Sequence, residues 1–413
     1  MNVLVLNGGS SSFKCWFAGL PDGPLPAAPP EPRWTARADW SHHTGKAEIR
    51  IARSDGATEE RQIEVQSPVA VLEPVLESLW NGDAAVIKAP SEIDVVGHRI
   101  VHGGPVYRES TPLTAEVRAA IAREVEFAPA HNRFELEAVE TVDRAIGTGI
   151  LQIAVFDTGF HSTLQPSAYV YAGPHAWLER GIRRYGFHGI SHQYAARRAS
   201  ELLARDPQSL RLIVCHLGNG ASLAAVQNGR SVDTSMGFTP LEGLMMGTRS
   251  GSIDPGILIY LIRHRGYTAG QLDRILNQES GLLGLSGVSG DMREVLEAIQ
   301  AGHQRAQLAF DVYVHRLVRE IGGMLAVLGG VDALVFTGGI GENSALLRER
   351  ACAPMGFLGL KIDAAKNASP AMDSDISAPD SAVRTLVIRA QEEWEIAREC
   401  HQLSGSRVNR QRC

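Results

Sequence analysis

The sequence predicts an α/β protein of two domains with related topology and a cleft between them. Three observations carry that prediction. The chain has 413 residues, enough for more than one core. Short apolar runs that read as buried strands end in glycine-rich or polar loops, and stretches with helical spacing separate them. One local design also occurs twice: an apolar strand, a loop of Gly, Asn and Ser, and an apolar strand back. It is found at 2–17 (NVLVLNGGSSSFKCWF) and again at 211–226 (RLIVCHLGNGASLAAV). The repeat reads as a faint internal duplication in which each copy offers a hairpin loop to one cleft.

Composition narrows the class. Apolar residues make up 44% and charged residues 21%, as in soluble globular proteins. The net charge of −6 argues against a nucleic-acid partner. The five cysteines (Cys15, Cys215, Cys352, Cys400, Cys413) are scattered without CxxC spacing. That pattern points away from a disulfide framework or a zinc site and towards a reducing, cytoplasmic location. The N-terminus runs straight into a strand, so no leader is expected, and no apolar run approaches membrane-spanning length.

In chain order, VLVL at 3–6 reads as a buried strand leading into Asn7, Gly8, Gly9, Ser10, Ser11 and Ser12, with Lys14 in the returning strand. Glycines let a backbone approach an anion, N–H groups and hydroxyls donate to it, and lysine adds charge, so the tip reads as a phosphate cradle. It is not the GxxxxGK(S/T) loop, which leads into a helix. The proline-rich stretch 21–32 is an exposed loop. Segments 47–52 and 61–66 suggest a hairpin, and 68–80 a helix. A buried strand at 93–97 runs into GHRIVHGG (97–104), bringing His98, Arg99 and His102 as cationic side chains to the end of a sheet, where α/β folds bind ligands. There Arg99 suits bidentate clamping of a carboxylate or phosphate. Helices are predicted at 114–127 and 134–146, then a strand at 153–157 closed by an acid, Asp157.

The segment 183–192 (RRYGFHGISH) gathers cations, aromatic rings and two histidines. After the second hairpin, 233–256 is a long Gly/Thr/Ser/Met segment without period, and such segments in compact domains are usually functional. Arg249 lies within it. Asp291, Met292 and Arg293 follow a glycine-rich turn, and 302–328 carries Phe310, Val314, Leu317, Ile321, Met324 and Leu328 at helical spacing. A strand at 333–337 delivers GGIGENS (338–344), expected to open a helix at Ser344. After a strand at 384–388, Gln391, Glu392 and Glu393 open the last helix. Glycine loops after strands, with arginines, an aspartate and a histidine from strand ends, are the parts that phosphoryl transfer needs.

The runs NGGSSSFK (7–14), GHRIVHGG (97–104), AVFDTGFH (154–161), RRYGFHGISH (183–192), HLGNGAS (216–222), 233–256, FTGGIGENS (336–344) and QEEWEIAR (391–398) together resemble the acetokinase (acetate kinase) family of the actin-like, sugar-kinase superfamily. The resemblance implies two domains of duplicated actin-like (ribonuclease-H-like) topology, 1–161 with 394–413 and 162–393, and a homodimer. It implies reversible phosphoryl transfer from ATP to acetate, giving ADP and acetyl phosphate, with Mg2+ or Mn2+ as cofactor. A kinase of the same family acting on propionate or butyrate is the alternative. By position, Asn7 and Glu392 resemble the metal-site residues, and Ser10, Ser12 and Lys14 the phosphate hairpin. Arg99 and Arg249 match the arginines that hold the carboxylate and the phosphoryl group, His188 the histidine that stabilises the transition state, and Asp157 the catalytic aspartate. Val101, Phe187 and Pro240 resemble the pocket for the substrate's methyl group. His216, Leu217, Gly218, Asn219, Gly220, Asp291, Met292, Arg293, Gly339, Ile340, Gly341, Glu342 and Asn343 match the nucleotide-binding segments.

Three positions depart from the family pattern. Ala130 stands where leucine is usual, Arg133 where proline is usual, and Ser252 where aspartate is usual. Ala130 opens room for one or two extra carbons, each worth up to about 0.8 kcal/mol when buried, so tolerance of propionate or butyrate is expected. A carboxylate is already ionised at neutral pH, so Asp157 is expected to orient rather than deprotonate. Two convergent arginines disfavour a sugar acceptor, and joint retention of these site residues disfavours a non-catalytic nucleotide-binding relative.

Overall fold

The computed structural model describes residues 1–9, 12–40, 46–65, 67–124 and 129–411, without the side chains at 68, 129–132 and 406–411. The chain folds as two units, Met1–Gly159 with Gln391–Cys413, and Phe160–Ala390.

Among the described residues unit 1 holds eight strands: β1 (Asn2–Gly8), β2 (Ser12–Gly19), β3 (Trp34–Asp39), β4 (Lys46–Arg53), β5 (Thr58–Glu64), β6 (Val95–Ile100), β7 (Thr111–Pro112) and β8 (Leu151–Phe156), in the order β5-β4-β3-β2-β1-β6-β8-β7. Unit 2 holds six: β9 (Arg211–Leu217), β10 (Ala221–Gln227), β11 (Arg230–Thr234), β12 (Ala333–Thr337), β13 (Ser374–Asp375) and β14 (Arg384–Val387), in the order β11-β10-β9-β12-β14-β13. Both sheets contain one motif. Three antiparallel strands (β3-β2-β1, β11-β10-β9) are followed by two that run parallel to the first (β6-β8, β12-β14). The duplication read from two hairpins therefore extends to this five-stranded motif, while β4 and β5 have no counterpart in unit 2.

Burial follows from that topology. Central strands covered on both faces read as continuous apolar runs, and Val3, Leu4 and Val5 of β1 and Ile213, Val214 and Cys215 of β9 are fully buried. The C-terminal helix Glu392–Gln411 covers one face of the unit 1 sheet with Trp394, Ile396, Ala397 and Cys400. It lies so close that a Cβ on Gly97 would come within 2.6 Å of Cys400 Sγ and 2.7 Å of Ile396 Cγ2. Glycine there is a packing requirement.

The expected hairpin at 47–52 and 61–66 is β4–β5. The amphipathic helix spans Gln304–Leu328 and buries all six predicted core positions. One expectation shifts. The 68–80 segment divides into a 3-10 turn, Pro68–Val71, and a short helix, Leu72–Glu77, because Pro74 lacks the N–H that a continuous helix would need. A helix does open at Ser344 as expected, Ala345–Cys352 with Ser344 as its cap, and a separate short helix, Gly338–Asn343, precedes it.

Parallel strands end together. Leu6 pairs with His98 and Ile100 with Phe156, which brings Asn7, Arg99 and Asp157 to one edge of the unit 1 sheet. Thr337 pairs with His216, which brings the loops after β9 and β12 to one edge in unit 2. These carboxyl ends are where α/β sheets bind ligands.

Candidate functional site

In unit 1, Asn7 ends the buried run of β1, and its Nδ2 donates to Glu392 Oε2 and Glu393 Oε1, both at 2.9 Å. Lys14, half exposed in β2, lies 3.8 Å from Glu393 Oε1. Gly9 N–H donates to the Ser12 carbonyl at 2.8 Å, closing the hairpin tip. Ser10 lies outside the described residues, as does the side chain of Ala130.

Arg99 and Asp157 form a buried pair. Arg99 Nη2 donates to Asp157 Oδ2 at 3.0 Å, and Nη1 to the Gly8 carbonyl at 2.8 Å. Burial opposes the guanidinium charge, but Asp157, Glu392 and Glu135 together hold it well above the ordinary arginine range. A cation is thus kept in a largely water-excluded place, ready for an anion.

Glu135 was not singled out from sequence, yet it belongs to this cluster. It is 3% exposed, and its Oε2 accepts from Val101 N–H at 3.0 Å. Burial pushes its carboxyl up to about 8, against the pull of Arg99 and the Val101 N–H, with Asp157 raising it further. The available signal was spacing: Glu135 shares a helix face with the buried Val139 and Val142.

The reading of His98 and His102 as cations is corrected by the structure. Side chains alternate along β6, so His98 points away from the Arg99 face, where its Nε2 meets Gln152 Oε1 at 2.8 Å. Burial lowers both histidines to about 4, and they are neutral.

In unit 2, the helix Gly189–Leu202 starts from His188, which sits at φ 57° in the left-handed region. A non-glycine residue there costs roughly 1–3 kcal/mol, a strain typical of functional positions. His188 Nδ1 lies 2.9 Å from Ser222 Oγ, and its ring centroid is 4.4 Å from that of His216. A Cβ on Gly220 would stand 3.2 Å from His188 Nε2 and 3.5 Å from Arg249 Nη1, so this glycine lets both groups approach the loop after β9. Arg249 Nη1 donates to the Pro240 carbonyl at 3.0 Å, and Phe187, next to His188, is buried. The neighbouring Arg184 is instead a brace: it donates to the carbonyls of Thr234, Ser235 and Met236 and pairs with Glu242 at 2.7 Å.

A cavity of about 630 Å³ opens beside this edge. Eight predicted nucleotide residues line it, namely Gly218, Asn219, Asp291, Met292, Arg293, Gly339, Ile340 and Asn343, joined by Gly290, Leu296 and Ser344. Its volume suits a ligand of nucleotide size. Asp291 caps the helix Met292–Gln300, accepting from Arg293 N–H at 2.8 Å, and Arg293 folds back on it. Leu296, missed from sequence, is one helical turn beyond Met292. His216, Leu217, Gly220, Gly341 and Glu342 do not line the cavity. Leu217 is core, and Glu342 Oε1 accepts from the N–H groups of Gly338 and Ala390, both at 2.9 Å. A second hollow, about 510 Å³, lies on the β3–β5 face, where Arg37 pairs with Asp39 at 3.0 Å and Arg50 with Glu60 at 3.3 Å.

Known proteins resemble this chain over nearly its whole length. The model of the acetokinase family matches residues 2–398. The chain is 56% identical over 403 residues to the acetate kinase of Cyanothece sp., covering 98% of each sequence. It is 55% identical over 402 residues to that of Gloeobacter violaceus, covering 97% of this chain and 99% of the relative. Among solved structures, the acetate kinase of Porphyromonas gingivalis superposes with a TM-score of 0.87 at 40% identity, over 96% of this chain and 98% of that one. A propionate kinase from Francisella tularensis gives 0.86 at 35%, over the same shares. The chain therefore belongs to the acetokinase family.

Proposed function

We propose that this protein catalyses the reversible transfer of the terminal phosphoryl group of ATP to acetate, giving ADP and acetyl phosphate. The observation that carries the reading is Arg99, a buried guanidinium held charged at a strand end by Asp157 in an acetokinase-family chain. An arginine so placed matches the geometry and charge of a small carboxylate. Acetate needs no base, since it is ionised at neutral pH. Asp157 accordingly holds Arg99 in place and orients the reacting groups. In unit 2 the buried Phe187 offers apolar surface for the methyl group together with Pro240. Unit 2 takes the nucleotide: the cavity flanked by Gly218, Asn219, Asp291 and Gly339 receives the adenosine moiety. Arg249 and His188 donate to the phosphoryl oxygens as charge spreads over them.

The residues at the end of β1 fit a magnesium ion. Asn7 carries an amide oxygen and Glu392 a carboxylate, the hard oxygen ligands magnesium takes, and Asn7 Nδ2 donates to Glu392 Oε2 at 2.9 Å. No group of three or more His, Cys, Asp or Glu assembles among the described residues. Mg2+ characteristically takes only one or two protein carboxylates and completes its shell with water and substrate phosphates. Asn7 and Glu392 would hold the ion, which when bound supplies charge neutralisation at the phosphates; Mn2+ has the same preferences.

The helix Pro255–Arg265 supports a homodimer. It has no buried residue, and Ile257, Ile259, Tyr260 and Ile262 are each 47–50% exposed, an apolar surface suited to a second copy. A cytoplasmic setting agrees with the free thiols of Cys15, Cys215, Cys352 and Cys400. Among the described residues no helix is long and apolar enough to cross a membrane.

The deciding experiment supplies Mg-ATP with formate, acetate, propionate or butyrate and traps acyl phosphate with hydroxylamine. The reading expects the largest kcat/KM with acetate. A maximum at a longer acid would reassign the substrate, and no product with any acid, from protein that binds ATP, would overturn the activity.

A further inference from the structure

Behind His188 lies a buried relay to which the proposed function assigns no role. Ser222 Oγ stands between two imidazoles, 2.9 Å from His188 Nδ1 and 2.8 Å from His192 Nε2. Ser222 and His192 are both fully buried, and His192 Nδ1 meets no hydrogen-bond partner among the described residues. His192 packs edge-on against His161 at 5.5 Å and His216 at 6.2 Å between ring centroids. His161 shows how such rings are fixed here. Its Nε2 is 3.1 Å from the Phe187 carbonyl, which can only accept, so the proton is on Nε2. Burial drives His192 well below the usual histidine range, and His161 and His216 push the same way, so this ring is neutral.

The proton count then admits one arrangement without a stranded donor. A serine hydroxyl has one proton and two lone pairs. With His192 protonated on Nε2, that N–H donates to Ser222 Oγ, Ser222 O–H donates to His188 Nδ1, and only the bare His192 Nδ1 is left unpaired. Running the relay backwards would bury an unpaired N–H at His192 Nδ1. Protonating both nitrogens of His188 would make Ser222 accept twice and strand its own O–H. Orphaned buried donors are rarer and costlier than an under-used acceptor.

We propose that His192, acting through Ser222, is a positioning residue that fixes His188 as the neutral tautomer protonated on Nε2. His188 then offers a hydrogen-bond donor beside Gly220 and Arg249, and serves neither as a base nor as a cation. The catalytic consequence rests on the reading of His188 as a contact of the transferring phosphoryl group; the tautomer does not. The charged and titratable neighbours to be allowed for are His216 and Arg249 around His188, and His161 and His216 around His192.

Two-bond proton–nitrogen spectra of the full-length, histidine-labelled protein test the tautomer directly. The wild type is expected to carry the His188 proton on Nε2. In His192→Leu, Ser222 is free to accept from His188, whose titration midpoint should rise by about one pH unit. His192→Gln restores a donor at the Nε2 position and should restore the midpoint. In turnover assays His192→Leu should lose at least about tenfold in kcat with both KM values unchanged, and His192→Gln should recover most of it. Should His192→Leu fail to fold, Ser222→Ala removes the hydroxyl that donates to His188 Nδ1, and the same spectra should then show the His188 proton distributed over both nitrogens. A wild-type proton on Nδ1, a midpoint unmoved in His192→Leu or a tautomer unchanged in Ser222→Ala overturns the proposal, as does a loss confined to KM. If His188→Ala retained full turnover, the phosphoryl contact would fall while the spectra still decided the tautomer.

Discussion

Glu135→Gln separates the charge of the buried carboxyl beneath Val101 from its hydrogen bond. Glutamine has the same length, keeps an oxygen to accept from Val101 N–H, and has no charge to bury. The wild-type carboxyl titrates at about 8 in the folded protein against 4.5 when solvated. The folded state therefore binds this proton more tightly than the unfolded chain. The associated stability is complete below about pH 4.5, falls as the pH rises, and is fully lost above about 8. At roughly 1.4 kcal/mol per pH unit, that interval is worth about 5 kcal/mol, an order-of-magnitude figure. Glu135→Gln should thus match or slightly trail the wild type near pH 5 and exceed it by several kcal/mol near pH 9. Urea unfolding followed by tryptophan fluorescence is the assay. Trp16, Trp34, Trp40, Trp80 and Trp394 all lie in unit 1, and Trp177 alone in unit 2, so the signal reports the unit that holds Glu135. Parallel stability curves for the two proteins from pH 5 to pH 9 would refute the reasoning, because the native and unfolded carboxyls would then titrate together.

Four further outcomes are expected. Asp157→Asn should lower kcat by about a hundredfold or more and leave the acetate KM within a few fold; affinity falling while turnover survived would show that the aspartate holds substrate instead. Glu392→Gln should raise the Mg2+ concentration for half-maximal activity about tenfold, measured by metal titration at saturating ATP, and an unchanged requirement would remove Glu392 from the metal site. A Cβ at Gly339 meets nothing within 4 Å, so Gly339→Val should keep the melting temperature while calorimetry finds ATP binding weakened tenfold or so; unaltered binding would mean that the nucleotide lies elsewhere. Ile259→Glu puts a charge on the apolar helix and should leave a 44.6 kDa particle by light scattering, whereas an unchanged mass would exclude that helix from the dimer contact.

What could be read from the sequence follows the range of the interactions. The hairpins at Asn7 and Gly218 announce themselves locally, through apolar runs around small polar loops, and the helix Gln304–Leu328 through its period. Arg99 and Asp157 were legible because a polar residue closing a buried strand is conspicuous. His98 was misread as a cation because the eye follows composition, whereas strand parity sends it to the opposite face from Arg99. Glu342 sits in a glycine segment of nucleotide-binding character, yet it spends its carboxylate on the backbone of Gly338 and Ala390, pairings no local pattern encodes. Glu135 hid among the other acids of its helix, and its burial depends on what packs over that face. The Ser222 bridge joins two histidines one helical turn apart through a residue 30 positions away from the second.

The bond from Asn7 to Glu392 links residues 385 apart in sequence, with the whole of unit 2 inserted between them. During synthesis the first hairpin therefore emerges long before the acids that it holds. Until residues 392–400 leave the ribosome, β6 lacks the helix that covers Gly97, and that apolar face stays open to solvent. Until then Asn7 also lacks both carboxylates to which it donates, those of Glu392 and Glu393. A chain cut before Gln391 would lose these two carboxylates and the core packing of Trp394, Ile396 and Cys400 in one stroke.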